Sequence, residues 1–184
     1  MRFSSLANRN LKEIFRDPLT LLLGVAMPVI LLFLFSSLFK VSDMDVFSIQ
    51  SLTSSIVIFS FSFLIMFSGI LLGKDKNSAF LTRLLTTLLT SFDFILAYIL
   101  PFLPVAFFQI VVCYGVGIYL GASLMHVGLT LLVFFVMALL CISMGVLMGA
   151  LLTMNQISGA GSLLITVVSL FSGAWMDLKM IGGF

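Results

Sequence analysis

The chain has 184 residues, of which 61% are hydrophobic and only 9% are charged. A soluble domain carries roughly 25% charged residues, so this chain lacks the charge to cover a surface facing water, and lipid is its expected solvent. The net charge of +2 is too small to indicate nucleic-acid binding, and two separated cysteines with a single histidine exclude the usual zinc patterns.

Residues 1–17 are predicted to form a helix that lies along the inner membrane surface. Phe3, Ala7, Leu11 and Ile14 share one helical face, and most charged side chains lie elsewhere. The alternative is a disordered basic leader. A cleaved signal peptide is not expected, because the following apolar stretch exceeds the roughly 7–15 residues of a signal core and no small-residue cleavage site follows it.

Gaps between clusters of charge predict five membrane spans, since a spanning helix needs about 20 mostly apolar residues. The first two spans run from Leu19 to Phe39 and from Val46 to Gly73, and neither contains a charge. The stretch from Phe94 to Met176 has no Asp, Glu, Lys or Arg and has room for three more. Turn residues at 121–126 and 153–156 divide it. The sequence therefore predicts an all-α, polytopic membrane protein with a single transmembrane domain, whose last three spans are Phe94–Leu120, Val127–Leu152 and Ile157–Ser172.

Basic residues are distributed unequally between the two sides of this arrangement. Four lie in the N-terminal segment and three lie between Lys74 and Arg83, whereas the opposite side has only Lys40 and Lys179. Because Lys and Arg are enriched in cytoplasmic loops, the N-terminus is expected in the cytoplasm and the protein in the cell membrane.

Residues 74–93 form a cytosolic segment that is longer than a simple turn. Its apolar side chains recur at helical spacing and its polar ones fall on the opposite face. An apolar helix this close to the membrane buries its face either in the bilayer interface or against a cytosolic partner, and the pattern leaves both open. The apolar face comprises Phe80, Leu81, Leu84, Leu85 and Leu88, and the polar face comprises Thr82, Arg83, Thr86 and Thr87.

Several residues in the predicted spans are expected to determine how the helices pack against one another. Three pairs of glycines are four residues apart, which permits close helix contact, and a structural role is favoured over a dimer-specific one. Prolines within spans remove backbone hydrogen bonds and favour kinks. Gln109 is expected to face another helix. The glycines are Gly69, Gly73, Gly117, Gly121, Gly145 and Gly149, and the prolines are Pro28, Pro101 and Pro104.

The sequence predicts no catalytic, cofactor-binding or metal-binding residue, and no enzyme activity. The chain has no Gly-x-x-x-x-Gly-Lys-Ser/Thr loop, so ATP binding through such a loop would have to come from a partner. No Asp, Glu, Lys or Arg falls in a predicted span, and the single histidine, His126, lies at a predicted turn. This absence of ionisable groups argues against ion-coupled transport and against an intramembrane protease. His126 is expected to be interfacial, without a chemical role.

Three segments together resemble the permeases of ABC-2 type transporters, in the family's order and spacing and over nearly the whole chain. They are Asn10–Pro18, Phe80–Thr87 and Leu170–Trp175. The resemblance implies an exporter of drugs, lipids, polysaccharides or peptides, a separate cytosolic ABC ATPase, and a second permease subunit in a homodimer or heterodimer. It also implies that the ATPase-coupling residues are Phe80, Leu81, Arg83, Leu84, Leu85, Thr86 and Thr87.

The chain departs from the family pattern in three places. Lys74-Asp75-Lys76 stands where the family has an acidic, Glu-rich start to the coupling segment, and Leu88 stands where a proline is common. The family has six spans, so the sequence is expected to be a fragment, with 173–184 as the start of an extracellular re-entrant region. The alternative function is a membrane anchoring or assembly factor that does not transport and whose cytosolic helix binds another partner.

Overall fold

The computed structural model describes residues 2–18, 22–42, 49–78, 90–122 and 127–172. Every regular element in these ranges is a helix, which confirms the predicted all-α class. In chain order they are α1 (Arg2–Arg16), a π-helical turn (Leu22–Ala26) that continues into α2 (Met27–Ser42), α3 (Ile49–Lys76), α4 (Ser91–Ile99), α5 (Phe102–Tyr119), α6 (Val127–Leu151) and α7 (Met154–Phe171).

Helix α1 is amphipathic, but its buried stripe is centred differently from the predicted face. Leu6, Asn10 and Ile14 are buried, at a spacing of four residues. Phe3 and Ala7 of the predicted face pack at the edge of this stripe. The difference arises because Asn10, a polar residue, occupies the centre of the stripe and donates a hydrogen bond there, so hydrophobicity alone does not mark the buried side.

The π-helical turn Leu22–Ala26 lies directly before Pro28. Proline has no N–H, so the carbonyl of Gly24 has no α-helical donor four residues later, and the backbone widens there. Pro28 itself is fully buried. The predicted kink at this proline therefore takes the form of a wider helical turn before α2.

Helix α3 is the centre of the bundle. Of its most apolar 18-residue stretch, 83% is buried within the chain, against 11% for α7. Helix α6 runs parallel to α3, since Ser68 contacts Ile142 and Lys76 contacts Ala150. The α4–α5 unit and α7 run antiparallel to α3, so its neighbours cover it on several sides.

The third apolar stretch is broken at its first proline. Helix α4 ends at Ile99, residues 100–101 form a turn, and α5 begins at Phe102. Helices α6 and α7 are separated by a short turn in which Thr153 is the N-cap of α7, with Gln156 closing a capping box. Helix α7 thus begins at Met154, three residues before the predicted span.

Four helical stretches of the described chain, with α4 and α5 taken together as one, are long and apolar enough to cross a membrane: Ser51–Lys76, Ser91–Tyr119, Val127–Leu151 and Met154–Phe171. A shorter apolar helix covers Leu22–Ser37, within the first predicted span, whose residues 19–21 lie outside the described ranges. The chain is therefore a multi-pass α-helical membrane protein.

Candidate functional site

The last turn of α3 carries a partly buried ion pair, which belongs to a cluster that joins three helices. Asp75 is 4% exposed and accepts two hydrogen bonds from the guanidinium of Arg9 in α1, one to each carboxylate oxygen, at 2.7 and 2.8 Å. Such two-pronged pairs fix orientation as well as position. Tyr98 of α4, fully buried, donates its hydroxyl proton to Asp75 Oδ2 at 2.7 Å. Arg9, Asp75 and Tyr98 are called the Asp75 cluster below.

Neighbouring polar groups extend the cluster along α1. Arg9 also donates to Glu13, one turn further on, at 3.0 Å. Asn10, fully buried, donates its amide to the backbone carbonyl of Ala97 in α4 at 3.0 Å and accepts from Arg9 at 3.2 Å. A buried amide without such partners would be costly, so these bonds fix the register between α1 and α4.

The electrostatics of the cluster favour the charged form of Arg9. The hydrogen bond from Arg9 to Asp75 raises the pKa of the Arg9 guanidinium above its usual value, against a smaller opposing effect of burial. Removing either partner of a buried pair leaves an uncompensated charge, which is far more costly than the pair is stabilising. We therefore expect the cluster to respond strongly to substitution of Arg9.

Lys76 ties the same turn of α3 to the end of α6. Its ammonium group donates to the backbone carbonyl of Ala150 at 2.6 Å. The last carbonyls of a helix have no partner within the helix and carry the negative end of its dipole, so a lysine there is favourable. This contact places the α6–α7 turn on the same side of the bundle as α1.

The predicted coupling residues, Phe80, Leu81, Arg83, Leu84, Leu85, Thr86 and Thr87, lie outside the described residues. Both flanks of this segment are described. On one side, Ser78 donates its hydroxyl to the carbonyl of Asp75 at 2.8 Å. On the other, Thr90 caps α4 in a capping box with Asp93. The Asp75–Tyr98 hydrogen bond holds the two flanks together across the base of the segment.

The predicted glycine pairs lie at different kinds of position. A methyl group added at Gly145 of α6 would overlap Ser68 and the backbone of Ile65 in α3, and one at Gly149 would lie 2.6 Å from the carbonyl oxygen of Gly69. Gly73 faces the side chains of Ile157 and Met154, and Gly117 faces Thr53. Gly121 instead has φ 105° in the turn after α5, a conformation that favours glycine.

Sequence reasoning missed the residues of the Asp75 cluster. By sequence alone, Arg9 and Asp75 are charges in segments expected on the cytosolic side, and Tyr98 is one residue of an apolar span. One signal was available in Asn10, which interrupts the apolar spacing of Leu6 and Ile14 on one face of α1. In the described ranges, no group of three or more His, Cys, Asp or Glu side chains could hold a metal ion.

Comparison with known proteins gives a consistent result. The family model for the ABC-2 type transporter matches residues 1–184. The chain is 30% identical over 174 residues to a protein of Pyropia yezoensis named as a candidate transport permease, ycf38, covering 90% of this chain and 59% of that protein. The protein of the same name from Porphyra purpurea is 29% identical over 170 residues, covering 89% and 58%. The chain thus spans under three fifths of the length of these relatives, and no solved structure matches it.

Proposed function

Because the chain belongs to the ABC-2 type transporter family, we propose that it is the transmembrane permease subunit of an exporter driven by a separate cytosolic ABC ATPase. The family is one of transport permeases rather than an enzyme class. In this proposal the substrate is hydrophobic or amphipathic, and residues 80–87 receive the motion that ATP hydrolysis generates. The same proposal includes a second permease subunit, identical or different.

The observation that carries the proposal is the position of the Asp75 cluster. Asp75 lies five residues before residues 80–87, which would meet the ATPase, and the cluster joins α1, α3 and α4. Lys76 adds the end of α6 to the same junction. A displacement applied to residues 79–89 would therefore be passed to four helices at once, which is the mechanical requirement for an ATP-driven rearrangement of spans.

The distribution of charge supports a cytoplasmic N-terminus. The contacts of Asp75 and Lys76 bring α1, the end of α3, the start of α4 and the α6–α7 turn to one side of the bundle. The basic residues on that side include Arg9, Lys12, Arg16, Lys74 and Lys76. The excess of Lys and Arg in cytoplasmic segments favours that side as the inner one, in a cell membrane.

The outer face of α7 supports a second permease subunit. Only 11% of its most apolar stretch is buried within the chain. Ser158, Ser162 and Thr166 are exposed at a spacing of four residues, and each hydroxyl donates to the carbonyl four residues before it. Hydroxyl and other small residues are enriched at helix–helix contacts in membranes, so we propose that this face meets another subunit rather than lipid alone.

The deciding experiment is purification of the full-length protein from its native membrane, followed by identification of co-purifying ATPases. We expect an ABC ATPase in stable stoichiometry, and reconstituted vesicles in which its hydrolysis is stimulated by substrate. Recovery of other partners without any ATPase would contradict the proposal and favour an anchoring or assembly factor.

A further inference from the structure

An apolar groove lies on the outer surface of the bundle, where α1, the π-helical turn and α5 meet. It has a volume of about 440 Å³. At roughly 30 Å³ for a group of water or methylene size, it has room for about fifteen such groups. The described residues that line it are all apolar, so the groove suits hydrocarbon. They are Phe15, Val25, Pro104, Val105, Phe107 and Phe108.

Two cations lie on α1 beside this groove. Lys12 and Arg16 are both exposed and are one helical turn apart. Lys12 is also three residues before Phe15, so its side chain is a neighbour of that ring on the helix surface. Among the described residues, the ion pairs of α1 are those of Arg9, and neither Lys12 nor Arg16 has one. The two cations are therefore available to an external anion.

The carboxylates at this end of α1 are already engaged. Glu13 is bonded within α1 at 3.0 Å, and Asp17 also has a partner. Both line the space beside Lys74 of α3, on the side of α1 that faces the bundle. The charge that α1 presents next to the apolar groove is therefore that of Lys12 and Arg16, which attracts an anion.

The groove continues from the level of α1 into the depth of the acyl chains. Arg9 of α1 and Tyr98 of α4 both bond to Asp75, in the last turn of a membrane-crossing helix. Phe107 follows Tyr98 by nine residues and is therefore about 13 Å deeper, at 1.5 Å per residue. The two cations thus lie at headgroup level, and the phenylalanines of α5 lie below them.

We propose that this surface binds an anionic phospholipid from the leaflet on the side of α1, as phosphatidylglycerol would be. Its phosphate pairs with Lys12 and Arg16, whose long stems let their charged ends reach headgroup level. One acyl chain lies in the groove against Phe15 and Phe107. Each cation near an anionic headgroup contributes about fivefold in affinity. A zwitterionic headgroup also has a phosphate, but its own ammonium group offsets the attraction.

The test places a fluorescent reporter in the groove of the full-length protein in lipid vesicles. Phe107→Trp supplies it, after the protein's other tryptophans, Trp175 among them, have been changed to phenylalanine. Lipids brominated in their acyl chains quench a tryptophan that they touch, so quenching compares occupancy by phosphatidylglycerol and phosphatidylcholine. Two cations predict a preference of about 25-fold for phosphatidylglycerol. High salt should reduce it, because exposed charges are screened.

Two matched controls accompany this measurement. Phe135→Trp places the same reporter on α6, where Phe135 is 39% exposed and outside the groove, and the two lipids should quench it equally. The double variant Lys12→Gln/Arg16→Gln should abolish the preference at position 107. Lys74→Gln, which removes an exposed cation of α3 that does not line the groove, should retain it.

Equal quenching of the groove reporter by the two lipids, or an unchanged preference in the double variant, would overturn the proposal. If Phe107→Trp does not fold, native mass spectrometry of the unsubstituted protein counts the two lipids retained, and the same double variant decides. Retention of soluble glycerol phosphate as tightly as phosphatidylglycerol would show that the groove takes no part. Cross-linking of Lys12 to an acidic protein segment, without any lipid preference, would assign this face to a protein partner instead. No ATPase is present, so the result is independent of the proposed function.

Discussion

Asp75 and Arg9 are 66 residues apart in sequence, yet they form a two-pronged ion pair at 2.7 and 2.8 Å. The carboxylate is almost fully buried, while 37% of the arginine side chain is exposed. The pair fixes the N-terminal helix to the end of the central helix, directly before the segment proposed to meet an ATPase.

Replacing Arg9 by alanine should destabilise the protein more than any exposed arginine would. Breaking a fully buried pair costs roughly 3–5 kcal/mol, and the partial exposure of Arg9 reduces this to roughly 2 kcal/mol. The measurement is the midpoint of thermal unfolding in detergent. Arg16→Ala, on the exposed side of the same helix, is the control. Similar midpoints for the two variants would show that the pair contributes little.

Tyr98→Phe should have a smaller effect, because Asp75 keeps both bonds from Arg9. The loss of one hydrogen bond predicts about 1 kcal/mol or somewhat more, since the acceptor is charged. Tyr119→Phe is the matched control, because Tyr119 is 82% exposed at the last residue of α5. Chemical unfolding of both variants measures the difference, and an unchanged Tyr98→Phe would argue that the hydroxyl is dispensable.

Gly145→Ala should disrupt the contact between α3 and α6. The added methyl group would overlap Ser68 and the backbone of Ile65, and overpacking of this kind costs roughly 1–3 kcal/mol. Gly128→Ala, in the same helix with nothing within 4 Å of the added carbon, should be neutral or slightly stabilising. Both are measured by thermal unfolding, and equal behaviour of the two alanine variants would contradict the close approach.

In the segment 80–87, Leu84→Asp should abolish co-purification of the ATPase while membrane insertion persists. An unpaired carboxylate in an apolar interface costs several kcal/mol, whereas an affinity of about 1 μM corresponds to only about 8 kcal/mol. Arg83→Ala should weaken the complex less, because a charge at the rim acts mainly on the association rate and its salt dependence. Should Leu84→Asp retain its ATPase at the wild-type level, the helix would instead rest in the lipid interface.

The membrane topology predicts that Ser78 and Ser42 lie on opposite sides. Cysteines at these two positions, in a background without Cys113 and Cys141, should react differently with a thiol reagent that cannot cross the membrane. Position 42 should be labelled in intact cells, and position 78 only after the membrane is opened. Labelling of position 78 from outside would invert the topology.

The sequence predicts the helical, membrane-crossing architecture well, because apolar length is a direct consequence of bilayer thickness. Prediction from the sequence fails where a residue's contact partner is far away along the chain. Arg9, Asn10 and Tyr98 are ordinary for an interfacial helix and a span when considered singly, and only the folded chain brings them to Asp75 and Ala97. The same limit applies to Lys74-Asp75-Lys76, which the sequence assigns to the cytosolic segment after the second span because charge usually marks the end of a span. They remain helical because at least two of their charges find partners within the protein.

Those three consecutive residues have a consequence for how α3 can move. Successive side chains of an α-helix point about 100° apart, so Lys74, Asp75 and Lys76 project in three directions around one turn. They reach a space lined by Glu13 and Ile14 of α1, the guanidinium of Arg9 and the last carbonyls of α6, respectively. Rotation of α3 about its own axis would break the contacts of Asp75 and Lys76 together, so torque applied near residue 79 should tilt or translate the bundle as a rigid unit.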